Sequence, residues 1–228
     1  MVHDRVELYV RLARLAHKSG DEYWAYRFSA WSTHYVQDLC QPYHSKLIPF
    51  ADIGYYTKYV FTWDKKAFEK RALQILANRH FAYEGFVAYV LTRSYTHHDS
   101  SSVALADALR KGVLYKDVDT GFDVAQGVMG WSADSAVEID EKISDQWGHI
   151  LDREDFFLLK DKSGVIDTLL PQVKYENNPL VDFTKKNFTM AGESTRTMIQ
   201  LMLVPPSGNN STNPGTNHLG YLESELSR

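Results

Sequence analysis

Two short runs concentrate the side chains that bind metal ions. The first is His34-Tyr35-Val36-Gln37-Asp38-Leu39-Cys40-Gln41-Pro42-Tyr43-His44, and the second is His80-Phe81-Ala82-Tyr83-Glu84. His34 and Asp38 are four residues apart, as are His80 and Glu84. On a helix that spacing places an imidazole and a carboxylate on one face, one turn apart. Imidazole nitrogen and carboxylate oxygen are both zinc ligands, and a zinc centre with three protein ligands keeps a fourth position for water or substrate. The plain alternative is a surface ion pair for each His–carboxylate pair, with His44 an ordinary turn residue. Two such pairs beside aromatic and aliphatic neighbours weigh towards a shared centre, but spacing alone leaves both readings open. His97-His98-Asp99 reads as an exposed loop with a helix cap. His3, His17, His149 and His218 have no partner at ligand spacing. Asn187-Phe188-Thr189 and Asn210-Ser211-Thr212 match the glycosylation acceptor pattern, which counts only in a eukaryotic secretory pathway. A phosphate-cradling glycine loop, GxSxG and HExxH are all absent from the sequence.

The elements that must carry these residues read as helices. Val6, Tyr9, Leu12, Leu15 and Ala16 recur at three- and four-residue spacing, and Gly20 closes the segment. Asp21 is a cap for a second helix that runs through Trp24, Phe28, Trp31 and Tyr35 to Leu39. Pro42 ends it, so His44 falls in the turn beyond. A third pattern runs from Asp64 to Leu91, with a break expected around Ala77-Asn78 because of its length. Further helices are expected at Ser102–Leu114, Ser132–Ile143, Glu154–Leu159 and Asp182–Leu203, the last stopped by Pro205-Pro206. Leu47–Phe50 and Gly164–Asp167 are short and ambiguous strand signals. The aromatic stretch Ala51–Phe61 reads as core or, less simply, as a substrate wall. The expected fold is an all-α, multi-helix bundle over residues 1–206, with 207–228 a loose polar tail of Asn, Ser, Thr, Gly and Pro.

Composition narrows the function classes. The chain has 228 residues, 44% hydrophobic and 24% charged, which suits a packed core and excludes wholesale disorder. Its 25 Lys+Arg against 29 Asp+Glu, a net charge of −4, argue mildly against gripping nucleic acid by bulk charge. The single cysteine, Cys40, excludes an internal disulfide and a Cys-based zinc site. No apolar run reaches the roughly 18 residues of a membrane helix, and the first residues lack the pattern of a signal peptide.

His34-x3-Asp38-x2-Gln41-Pro42-x-His44 followed by His80-x3-Glu84 resembles the zinc-dependent phospholipase C and fungal single-strand nuclease superfamily. The lead-in from Trp24 to Trp31 is similar as well. The likeness runs from about residue 5 to 92 and beyond that rests on helical character. It implies an all-helical fold with up to three zinc ions, and hydrolysis of a phosphodiester by metal-activated water. It implies that His34 binds one zinc, that Asp38 is catalytic and bridges that zinc to a second, and that His44, His80 and Glu84 hold the remaining one. Glu84, where nuclease-like members tend to carry Asp, implies a phospholipid substrate with peripheral membrane contact. A single-strand nuclease of the same fold and a non-catalytic protein with one structural zinc are the alternatives. It also implies a secreted or periplasmic location. The family's upstream ligands have no counterpart among the 33 residues before His34, so the likeness implies an N-terminally incomplete copy or a short homologue with one metal or none. The spacer from His44 to His80 is longer than the family's usual one.

Overall fold

The structure is a computed structural model that describes residues 1–97, 100–112, 118–158, 169–173 and 177–203. These residues are mostly helical, with no strand among them. The helices are α1 (Val2–Lys18), α2 (Glu22–Leu39), α3 (Pro42–Ser45), α4 (Ile53–Phe61), α5 (Lys65–His97), α6 (Ser100–Lys111), α7 (Gly121–Leu151) and α8 (Pro179–Leu203), with a 3-10 turn at Leu170–Gln172. The 207–228 tail, the Gly164–Asp167 signal, His98 and Asp99 lie outside the described residues.

Local chemistry sets the ends of the first helices. Gly20 takes a φ of +77° after α1, a conformation that costs glycine little. The Asp21 carboxylate then accepts from the Trp24 amide and caps α2. Pro42 ends α2 and starts α3 at its first turn, where a missing N–H costs nothing. Leu47–Phe50 is turn and irregular backbone, not strand.

The apolar faces gather into two clusters. One joins Val6, Val10 and Ala13 of α1 with Val36 and Leu39 of α2, Val124 and Val128 of α7, and Met198 and Met202 of α8. The other joins Tyr43 of α3 with Tyr83, Phe86 and Val90 of α5, Leu105 of α6, Ile139, Ile143 and Trp147 of α7, and Leu180 and Phe183 of α8. The first half of α7 meets the last half of α8 in one cluster, and the opposite halves meet in the other. The two long helices therefore run antiparallel and form the spine against which α1, α2, α3, α5 and α6 pack. Removing a side chain such as Phe86 or Trp147 from water contributes about 2–3 kcal/mol each.

Four sequence expectations are corrected. α5 is continuous through Ala77-Asn78. Asn78 is fully buried, and its amide donates to the Leu151 and Phe156 carbonyls at 2.7 and 3.1 Å while its Oδ1 accepts from the Leu158 amide at 2.8 Å. The point at which length alone suggested a break carries a tertiary anchor. The described part of Glu154–Leu159 is correspondingly not an α-helix, because side chains of α5 take its backbone groups: Gln74 donates to the Glu154 and Phe156 carbonyls. α7 extends well beyond Ser132–Ile143 at both ends. Gly127 and Gly130 weaken its periodic signal, but the Thr120 cap and the Glu7 carboxylate, which accepts from the Gly121 and Phe122 amides, hold its start. Finally, Ala51–Phe61 is not core: α4 contributes no buried residue.

Candidate metal centre

Pro42 turns the chain out of α2 so that His44 faces α5, where His80 and Glu84 lie one turn apart. His44 Nε2 is 3.0 Å from His80 Nε2, His80 Nε2 is 2.9 Å from Glu84 Oε1, and His44 Nε2 is 3.9 Å from the same oxygen. The His44 and His80 rings meet edge to face at 90°. Ligands around a tetrahedral zinc, at 2.0–2.1 Å bonds, lie about 3.3 Å from each other. The three gathered atoms straddle that value, so the donor set fits one zinc-sized cation. It is the one such group among the described residues.

The other edge of His44 is also occupied. Nδ1 lies 3.0 Å from Asp38 Oδ1 and 3.1 Å from the Asp38 carbonyl oxygen. Two acceptors on Nδ1 place the ring proton there and leave the Nε2 lone pair for a cation, which is how histidine ligands are commonly oriented. Asp38 thus touches a ligand rather than the gathered atoms. His34, one turn earlier on α2, is exposed, and its ring stands 6.0 Å from Tyr35; it does not join the group. Of the five residues singled out in sequence, the structure brings three together, sets one behind them and leaves one outside.

Beneath the centre lies a polar network that spacing does not reveal. Tyr43 precedes His44 and Arg79 precedes His80 by one residue, and both converge on Asp140 of α7. The Tyr43 hydroxyl donates to Asp140 Oδ1 at 2.8 Å, and Arg79 donates to the other oxygen. Arg79 also grips Asp152 with two nitrogens, at 3.0 and 2.6 Å, and donates to Ser144 at 3.0 Å. Arg79 is 7% exposed and Asp140 2%, so these charges are paired inside the protein. Burial pushes the Asp140 carboxyl above the usual range, against the pull of Arg79 and Tyr43. Burial and the neighbouring Asp140 carboxylate raise the Tyr43 phenol far out of the physiological range. Burial opposes the Arg79 charge, but Asp152 and Asp140 outweigh it and hold the guanidinium above its ordinary value. The Tyr43 ring stacks on His80 at 5.8 Å, which joins the network to the ligand. The only signal in sequence is the placing of Tyr43 and Arg79 next to the two histidines.

A cleft of about 420 Å³ opens beside the centre. His44, Glu84 and Asp38 line it, with Val87, Ala88 and Leu91 of α5 and Phe188 and Ala191 of α8 as an apolar wall. Among the described residues no lysine or arginine lines it. Asn187 also lines it, 6% exposed, and donates to the Tyr83 hydroxyl at 3.2 Å, so it is a packed core amide and no glycosylation acceptor in this fold. Cys40 is buried, and burial pushes its thiol up to about 11.

Searches of family models, of curated proteins and of solved structures return no match to this chain.

Proposed function

We propose that the chain is a zinc-dependent phosphodiester hydrolase of phospholipase C type, working with one ion held by His44, His80 and Glu84. The observation that supports this reading is the convergence of three ligand atoms, at 2.9 to 3.9 Å from one another, at the edge of a cleft. Three protein ligands are the pattern of a catalytic site, since structural zinc sites are closed by four. Zinc bound there would supply Lewis acidity to a phosphodiester and acidify water near neutral pH. Glu84 and the two imidazoles fix the position of that charge. Asp38 holds the His44 ring by its Nδ1 edge, and because it also lines the cleft it is the carboxylate available there to accept a proton. The apolar wall of Val87, Leu91 and Phe188 takes the uncharged part of the substrate. A polyanionic strand would call for cationic side chains along its path, and no described residue of the cleft supplies one; phospholipid is therefore favoured over nucleic acid.

A second reading is a structural zinc that ties α3 to α5 without chemistry. It is favoured by the single ligand group among the described residues, where the family resemblance calls for up to three ions.

Elemental analysis of the zinc-saturated chain, paired with hydrolysis assays on phosphatidylcholine and single-stranded DNA, tests both. One zinc per chain with phospholipid turnover supports the first reading. One zinc with no turnover of either substrate leaves the second. A chain that retains no zinc sinks both.

A further inference from the structure

α4 packs with one face and leaves the other bare. Its inner face is aromatic: the Tyr55 ring lies 4.8 Å from Phe68 and 5.7 Å from Phe50, and Tyr59 lies 5.8 Å from Phe68 and donates to Glu69 at 2.8 Å. The outer face should be polar in a helix that ends at water. Instead Ile53 is 86% exposed, Tyr56 58%, Val60 63% and Phe61 79%. Ile53, Tyr56 and Val60 recur at three- and four-residue spacing, so they form one stripe with Phe61 at its edge. Trp63, just beyond the helix, is 102% exposed. A contiguous apolar surface of this kind marks an interaction site.

Charge indicates what covers it. Residues 46–71 carry six cationic side chains (Lys46, Lys58, Lys65, Lys66, Lys70 and Arg71) against three anionic ones, a net of +3 in a chain whose net charge is −4. Lys58, Lys65, Lys66 and Lys70 are exposed, and the Lys65 ammonium lies 5.0 Å from the centre of the Tyr59 ring, against the flank of α4. Bare apolar side chains bordered by lysines are the composition of a helix that lies in the plane of an anionic bilayer. Tryptophan at the end of such a helix sits well at the headgroup level.

We propose that α4 and Trp63 form a membrane-surface anchor, with Ile53, Tyr56, Val60, Phe61 and Trp63 entering the headgroup–acyl boundary of an anionic bilayer and the bordering lysines attracted to its charge. Phe50, at the root of this element, contacts Tyr55 on one side and lies 5.4 Å from the Arg79 guanidinium on the other. Arg79 adjoins His80, so the anchor is rooted beside the metal centre. The proposal uses none of the metal ligands and stands or falls separately from the hydrolase reading.

Flotation of the full chain with vesicles tests it. The vesicles are phosphatidylcholine alone, and phosphatidylcholine with about one fifth phosphatidylserine. The expected result is binding to the anionic vesicles, weaker binding to the neutral ones, and loss of the difference in high salt. Phe61→Ser with Trp63→Ser is expected to cut binding about tenfold or more, as is Lys65→Glu with Lys66→Glu. All four side chains are exposed, so unchanged circular dichroism and melting temperature are expected alongside. Failure of the wild-type chain to float with anionic vesicles at low salt overturns the proposal, and so does equal binding by the variants. A wild-type dimer that Phe61→Ser with Trp63→Ser converts to monomer, without vesicle binding, overturns it in favour of a second copy as the occupant.

Discussion

His44 has two edges with different work. Nδ1 is held by Asp38, and Nε2 points at His80 and Glu84. That division orients the ring and turns its Nε2 edge to the gathered atoms, so removing Asp38 should be felt at a distance of one imidazole. Asp38→Asn is expected to weaken zinc affinity by about 10- to 100-fold while keeping one ion per chain at saturation; titration with a competing chelator reads it, and an unchanged affinity would remove Asp38 from the orienting role. His80→Ala is expected to abolish the ion altogether and to erase the rise in melting temperature that zinc confers on the wild-type chain. If metal content and melting temperature match the wild type in that variant, His80 is not a ligand.

At the scale of elements, the centre depends on the angle between α3 and α5, and Asp140 of α7 joins the two. It accepts from Tyr43 and Arg79, the neighbours of His44 and His80. Asp140→Ala leaves a buried guanidinium short of one partner, and the expected loss of stability is about 3 kcal/mol. Zinc affinity should fall with it, because both ligand helices lose a shared support. Tyr43→Phe removes only the hydroxyl, with an expected loss of about 1 kcal/mol. Urea denaturation of the metal-free variants separates this effect from the loss of bound ion. The packing of α8 on α6 relies on a different device. Gly192 of α8 lies against the Leu109 backbone of α6, and a Cβ there has no room. Gly192→Ala is expected to push the helices apart at about 1–3 kcal/mol, while leaving zinc binding unchanged because the centre is built on α3 and α5.

The whole molecule carries an alkaline limit in its core. Burial raises Cys40 from 9.0 to about 11 and Tyr83 from 10.0 to about 12. In the folded chain these groups keep their protons through a window in which the unfolded chain releases them. The unfolded state then binds fewer protons, so stability falls as pH rises. The contribution is full below about pH 9 and is lost as the pH passes 11 and then 12. Each shift of about two units corresponds to at most about 2–3 kcal/mol. Urea midpoints measured from pH 8 upward are expected to decline from pH 9, and Cys40→Ala should flatten the first part of that decline. A constant midpoint through pH 11 would place both groups in contact with water.

The helical class, the capping of α2 by Asp21, the break at Pro42 and the pairing of His80 with Glu84 are local properties, legible in sequence because they depend on neighbours within about one turn of helix. What distance in the chain conceals was decided by packing. The length of α5 suggested a break at Ala77-Asn78, yet Asn78 is an anchor within a continuous helix, because the carbonyls it satisfies lie in the Leu151–Phe156 region. His44 and His80 are 36 residues apart, and only the packing of α3 and α5 on the same helix, α7, brings their nitrogens within 3.0 Å. Asp140, remote from both histidines in sequence, holds their neighbours Tyr43 and Arg79 through its two carboxylate oxygens. The apolar stretch at Ile53–Phe61 carried a clear hydrophobic signal whose meaning was tertiary: the same side chains serve as core when a partner element covers them, and here none of α4 is buried.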